Sequence, residues 1–185
     1  IAAANVAIAM PEALQDHWVQ KVQGGKTAAV VDGRLRNPKH AASLRWSGNV
    51  PFECSVEMKL ALYPKWGTPN ESREKGWAGI YLEGGGHFAI RANGGTFLLG
   101  NGYNNYVAIP GYEDGKFTTL KVVRCRRGKS SAGYTFFVNG LPCGEFFAPM
   151  PTPKVVDGKE VWPQPEIFAN DHDIEVDDFI VNEQA

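Results

Sequence analysis

The chain has 185 residues, enough for one domain with its own core and too few for two large ones. Apolar residues at 43% and charged residues at 21% exclude disordered, collagenous and coiled-coil classes. Nineteen Lys and Arg against twenty Asp and Glu leave a net charge of -1, which gives no global field for a nucleic-acid backbone, so nucleic acid is not expected as a partner. The deviation that matters is 21 Gly and 12 Pro with 11% aromatics, a mixture suited to many short strands joined by tight turns.

Residues 1–17 begin as IAAANVAIAM and carry the small-x-small triplet Ala7-Ile8-Ala9 of the kind found before signal cleavage sites, but no basic region precedes it. The segment reads equally as a trimmed linker or a short helix ending at Pro11, and is set aside as an N-terminal extension to a domain over 18–185. No apolar run approaches the ~18 residues needed to cross a bilayer. Cys54, Cys125 and Cys143 allow at most one internal bridge, their disulfide state stays open, and no Cys/His spacing suggests zinc. Asn70-Glu71-Ser72 is a glycosylation sequon, which matters only in a eukaryotic secretory pathway.

Val30-Val31 before Asp32-Gly33 predicts a hairpin within 18–36. Over 52–62, Phe52, Cys54, Val56, Met58, Leu60 and Leu62 alternate with Glu53, Ser55, Glu57 and Lys59, a period of two with one face buried. The polar loop 63–76 that follows is long for a compact domain and holds Trp66. Residues 77–83 and 87–92 around Gly84-Gly85-Gly86 predict a second hairpin, with Ala78, Ile80, Leu82, Phe88 and Ile90 on the core side. Tyr81, Glu83, His87 and Arg91 fall on the other side, and a loop of three glycines would set Glu83 opposite His87, Cβ atoms roughly 5 Å apart.

A turn at Asn93-Gly94-Gly95 leads to a further strand, the stretch NGYNNY at 101–106 and the short strand VAI. Residues 117–127, 134–139 and 143–147 read as a meander turned at Asn139-Gly140. Five prolines within 148–166 mark an extended edge loop with a mini-hairpin at Asp157-Gly158, and IEVDDFIV at 174–181 is the last strand. No helical spacing of apolar residues persists beyond residue 18, so helices should be few and short and the fold all-β, a sandwich or barrel.

Three segments, FTTLKVVRCRRG, YTFFVNGLPCG and the closing IEVDDFIV, resemble the concanavalin A-like lectin/glucanase superfamily with its laminin-G-like and secreted glycan-processing relatives, across roughly residues 18–182. The resemblance implies an antiparallel two-sheet jelly-roll sandwich, a concave face that often receives sugar, and secreted or periplasmic use. It does not imply catalysis.

Five constellations carry candidate chemistry. Glu83 and His87 could exchange protons near neutral pH while Arg91 and Tyr81 hold a uronate carboxylate, the equipment of a glycoside hydrolase or polysaccharide lyase; the competing account is a solvated cross-strand ion pair. Trp66, Trp77, Tyr103, Asn104, Asn105, Tyr106 and Tyr112 interleave rings with amides, which suits sugar C–H faces and hydroxyls, or else cap the core. Asp173, Glu175 and Asp177 lie about 6.6–6.8 Å apart on one strand face, within the inverting-glycosidase range. They depart from the acid-x-acid strand of the superfamily's laminarinase-like hydrolases in residue order and in terminal placement, and solvent-facing acids explain them better. The run Arg124, Arg126, Arg127 and Lys129 reads as a solvated hairpin tip that could touch acidic glycans. Asn170, Asp171 and Asp173, with Glu113 and Asp114, are oxygen-rich enough to raise calcium, but no EF-type spacing exists, and neither metal nor cofactor is expected.

The expected function is recognition of an oligo- or polysaccharide on a concave face. The alternatives are catalysis by Glu83 and His87, or a laminin-G-like module that binds protein. The chain could also be one part of a larger multi-domain protein.

Overall fold

A computed structural model describes residues 6–8, 18–21, 29–31, 34–36, 42–46, 50–64, 77–82, 86–91, 96–99, 106–170 and 172–183. Every regular element among them is a strand, and every strand pairing is antiparallel. In chain order the strands are β1 (Val6–Ile8), β2 (Trp18–Lys21), β3 (Ala29–Val31), β4 (Arg34–Arg36), β5 (Ala42–Trp46), β6 (Cys54–Pro64), β7 (Trp77–Leu82), β8 (Gly86–Arg91) and β9 (Thr96–Leu99). There follow β10 (Tyr106–Ala108), β11 (Thr118–Arg127), β12 (Ser131–Val138), β13 (Leu141–Pro149), β14 (Lys154–Val156), β15 (Lys159–Val161), β16 (Glu166–Asn170) and β17 (His172–Glu183). One sheet runs β13-β12-β11-β6-β17-β4-β3, with β1 also on β17; the second runs β10-β9-β8-β7-β16-β5-β2; β14 and β15 form a separate hairpin.

The period of two decides what each strand buries. On β6, Cys54, Val56, Met58, Leu60 and Leu62 are buried, and on β11 Leu120 and Val122 continue the same face, with Tyr134 and Phe136 from β12 and Ile174 and Val176 from β17. The second sheet answers with Ala78, Ile80, Leu82, Phe88, Ile90 and Ile167. Phe88 and Phe136 join the two layers directly, their ring centroids 4.9 Å apart at a tilt of 50°.

The predicted turns close as their residue types demand. Asn139 and Gly140 have φ of 49° and 80°, and Asp157 and Gly158 have 50° and 74°, the paired positive values of a type I′ turn. Val31 pairs with Arg34 across Asp32-Gly33. Asn139 is further tied, its amide N–H donating to the Thr119 carbonyl and its Oδ1 accepting from the Thr119 N–H, each at 2.9 Å.

Three expectations need correction. The N-terminal segment, read as linker or short helix, contributes β1, which pairs with β17 through Val6 and Val181. The proline-rich stretch does contain its mini-hairpin, but it delivers β16 into the second sheet between β7 and β5. Arg124, read as part of a solvated tip, is fully buried, because it occupies the inward phase set by Thr118, Leu120 and Val122.

Arg124 does structural work there. Its Nε donates to the Phe52 carbonyl at 2.7 Å, Nη1 to the Pro163 carbonyl at 2.9 Å and Nη2 to the Pro51 carbonyl at 3.4 Å, while its guanidinium lies 4.8 Å from the Phe52 ring centroid. Gln164 completes the fastening: Oε1 accepts from the Val50 N–H at 2.9 Å and Nε2 donates to the Val50 carbonyl at 3.3 Å. The chain therefore enters β16 from a segment bolted to the start of β6.

Candidate functional site

Ala78, Ile80, Leu82, Phe88 and Ile90 point into the core as the alternation predicts, so the intervening positions of β7 and β8 belong to the outer face of the second sheet. The strand pairings extend that face in three cross-strand rows. One runs Val19, Arg45, Glu166, Tyr81 and His87. The next runs Lys21, Ser43, Phe168, Gly79, Ala89, Leu98 and Tyr106. The third runs Asn170, Trp77, Arg91, Thr96 and Ala108.

Five of the residues singled out in the sequence, Trp77, Tyr81, His87, Arg91 and Tyr106, thus occupy register positions on one face. Glu83, Trp66, Tyr103 and Asn104 lie outside the described residues. The expected pairing of Glu83 with His87 is replaced: Tyr81 is the Cα partner of His87, and Leu82 is that of Gly86. The third glycine is drawn into the ladder instead of serving the turn, which shifts the partner of His87 by two residues and so preserves its face.

The residue that sequence reading missed is Glu166. It stands opposite Tyr81 on one side and Arg45 on the other, and it is only 5% exposed although it faces away from the core. Phe168, Gly79 and Ala89 in the adjoining row are buried too, whereas Tyr81 is half-buried and Ala108 is exposed. Among the described residues, the middle of the face is therefore sheltered, and Ala108 at one edge of it is exposed. Gly79 keeps the backbones close, since a Cβ there would overlap the Phe88 carbonyl oxygen. Glu166 and Tyr81 are both engaged in interactions, as expected for a carboxylate and a phenol removed from water. The available signal was the alternation in EIFAN, where Ile167 is buried in the core and its two neighbours turn the other way.

The other candidates lie elsewhere. Asp173, Glu175 and Asp177 pair with Tyr63, Ala61 and Lys59 of β6, which places them on the first sheet. Tyr112 sits in the loop before β11, where its hydroxyl donates to Asp114 Oδ1 at 2.9 Å, and burial together with Asp114 holds its phenol above the usual range. Among the described residues no three His, Cys, Asp or Glu side chains gather as a metal site. Arg126 is exposed, as a solvated tip requires, and its guanidinium also lies 5.4 Å from the ring centroids of both Phe52 and Trp162. No helix among the described residues is long and apolar enough to cross a membrane.

No protein-family model matches the sequence, and no curated protein does. Solved structures do match in shape. The carbohydrate-binding module CBM66 from Bacillus subtilis aligns with a TM-score of 0.55 at 13% identity, over 90% of this chain and 96% of that one. The carbohydrate recognition domain of Emp47p aligns at 0.54 and 12% identity, over 92% and 90%. A prokaryotic β-1,3-1,4-glucanase derived from a mouse hindgut metagenome aligns at 0.56 and 7% identity, over 100% of both chains. At such identities the likeness concerns architecture alone, and with the two antiparallel sheets and their shared core it establishes the chain as a jelly-roll sandwich of the concanavalin A-like type.

Proposed function

We propose that this chain is an extracellular, secreted or periplasmic, carbohydrate-binding domain that receives an oligo- or polysaccharide on the outer face of its second sheet. The observation that carries the reading is the row Arg45, Glu166, Tyr81 and His87, in which a sheltered carboxylate stands beside a half-buried phenol on a face that also holds Trp77, Arg91 and Tyr106. Rings offer flat surfaces to sugar C–H groups, and carboxylate, guanidinium and imidazole supply acceptors and donors for hydroxyls. Solved domains of the same shape include proteins named as a carbohydrate-binding module and a carbohydrate recognition domain, which agrees with this use of the fold. Trp66, Tyr103 and Asn104 are proposed to border the same face.

Binding is favoured over acid–base cleavage by the register. Glu166 and His87 are two strand spacings apart, about 10 Å at the backbone. A proton-transfer pair needs contact at about 3 Å or one bridging water. Glu83 no longer has His87 as its cross-strand partner.

The test is a glycan array followed by mass spectrometry of the retained ligands. Wild-type protein should hold a defined saccharide class without altering it, and Tyr81→Ala should abolish retention while the thermal transition persists. Shortened products that vanish with Glu83→Gln would install the hydrolase or lyase reading instead. Retention of no saccharide would remove the proposal.

A further inference from the structure

We infer that the free edge of the first sheet is a pairing surface for a second copy of this chain, the two β13 strands running antiparallel about Phe146. Strand β13 ends its sheet among the described residues, and none of its nine residues is buried. Leu141 is 66% exposed and Phe147 57%, while Phe146, Ala148 and Met150 are only partly covered where they pack on the core. The apolar seam of the sandwich therefore comes to the surface along this edge.

The backbone there limits what can pair. Met150 donates its N–H to the Ser130 carbonyl at 3.0 Å, and by alternation Ala148 and Phe146 also face β12, so Glu145 and Phe147 turn their N–H and C=O groups to the open side. Pro149 and Pro142 hold the same outward phase with no N–H to give, and Cys143, between Pro142 and Gly144, is left without a Cα partner on β12. Prolines and bulge fence the edge against indefinite pairing but leave a window from Glu145 to Phe147. Shielding alone does not account for Phe147, because an apolar ring more than half exposed invites the contact that the prolines resist.

The window matches itself. Two-fold pairing about Phe146 opposes Glu145 of each copy to Phe147 of the other, so both residues exchange N–H···O bonds in both halves. An axis on Glu145 would set two carboxylates face to face, and one on Phe147 would oppose Glu145 to Pro149, which has no N–H to return. Side chains agree with the central choice. In the row beyond Phe147 stands Gly133, with Arg127 lying over it: a Cβ there would meet Arg127 Cγ at 2.9 Å and Nε at 3.2 Å. The exposed Glu145 of one copy thus shares a row with Phe147 and the exposed Arg127 side chain of the other, an attraction of opposite charges repeated by symmetry. On the core side the two Phe146 residues form a non-hydrogen-bonded pair with Cα atoms about 4.5 Å apart, close enough for their rings to cover the seam.

Such a contact closes on itself and gives a dimer, not a fibre. Its axis stands across the joined sheet, so both copies turn their second sheets to the same side and present twice whatever that face receives. The dimer itself does not depend on what that is.

The experiment is sedimentation velocity of the full chain from about 1 to about 500 μM, with amide hydrogen exchange at both ends of the range. Wild type should pass from monomer to dimer, and the Glu145 and Phe147 amides should slow by about tenfold or more at the high end, while those of Phe146 and Ala148, bonded to β12 in either state, should not change. Phe147→Lys, at a position exposed enough to leave the fold intact, should weaken the dimer at least about tenfold. Glu145→Arg and Arg127→Glu should each weaken it, and the two together should restore part of the loss. A monomer throughout the range overturns the inference. So does a dimer that leaves the Glu145 and Phe147 amides exchanging freely, or one indifferent to all three substitutions.

Discussion

Glu166 and Tyr81 are cross-strand partners on β16 and β7, and the carboxylate of the first is almost wholly withdrawn from water on the side of the sheet that faces away from the core. A buried carboxylate persists only where its lone pairs are met, and removing it strands the donors that met it. Glu166→Ala should therefore destabilise the fold by about 1–3 kcal/mol, and Glu166→Gln, which keeps the shape and one acceptor, by less. Urea denaturation measures both. A loss-free Glu166→Ala would show that the carboxylate meets nothing of consequence.

Arg124 ties three carbonyls from two separate segments, Pro51 and Phe52 before β6 and Pro163 before β16. Arg124→Met fills much of the same volume but leaves those acceptors without donors, so a loss of about 3 kcal/mol or more is expected. Arg124→Lys should recover little, because an ammonium cannot reproduce the planar fork. Since Gln164 shares the fastening, amide exchange at the start of β16 should accelerate in the same variants. Wild-type stability in Arg124→Met would refute the clamp.

Much of this architecture could be read from residue pattern, and the exceptions have physical causes. The faces of β7 and β8 follow from alternation alone, which is why Ala78, Ile80, Leu82, Phe88 and Ile90 were all identified as core. Their register does not follow, because three successive glycines can close a turn with Gly86 either inside the loop or inside the ladder. Arg124 sat in plain phase with Leu120 and Val122, yet its charge argued for water; a guanidinium can go inside when backbone carbonyls take its donors. Strand β16 was hidden for a different reason. It is five residues long, follows the last of five prolines, and owes its place between β7 and β5 to pairings far away in sequence. Glu166, and with it the centre of the proposed site, was hidden with it.

Among the described residues, the Tyr134 hydroxyl on β12 is a buried polar atom with no hydrogen-bond partner. Burial lifts its phenol above the usual range, with the Arg124 charge pulling the other way. An unmet hydroxyl costs about 1–3 kcal/mol, and Tyr134→Phe keeps the ring and its packing beside Phe146. The variant should raise the thermal midpoint. A lower midpoint would mean that the hydroxyl has a partner, such as a bound water, that makes it worth keeping.

Alkaline stability should fall early, and the thiols give the sign. Burial pushes Cys143 from an ordinary 9.0 up to about 12, and Cys54 is raised by burial as well, against the pull of Arg124. In the unfolded chain these thiols lose their protons near 9, while the folded chain keeps them. The native state therefore binds more protons above that pH, and raising the pH favours unfolding. The stability in question is complete below about 9 and, for Cys143, is drawn down as the pH climbs toward about 12. Tyr112 and Tyr134, also raised, act in the same direction once free phenols ionise. Urea midpoints across that window should decline steadily in the wild type, and Cys143→Ala should flatten the slope by removing one contributor. A wild-type midpoint unchanged between neutral pH and the upper end of the window would show that these groups titrate alike in both states.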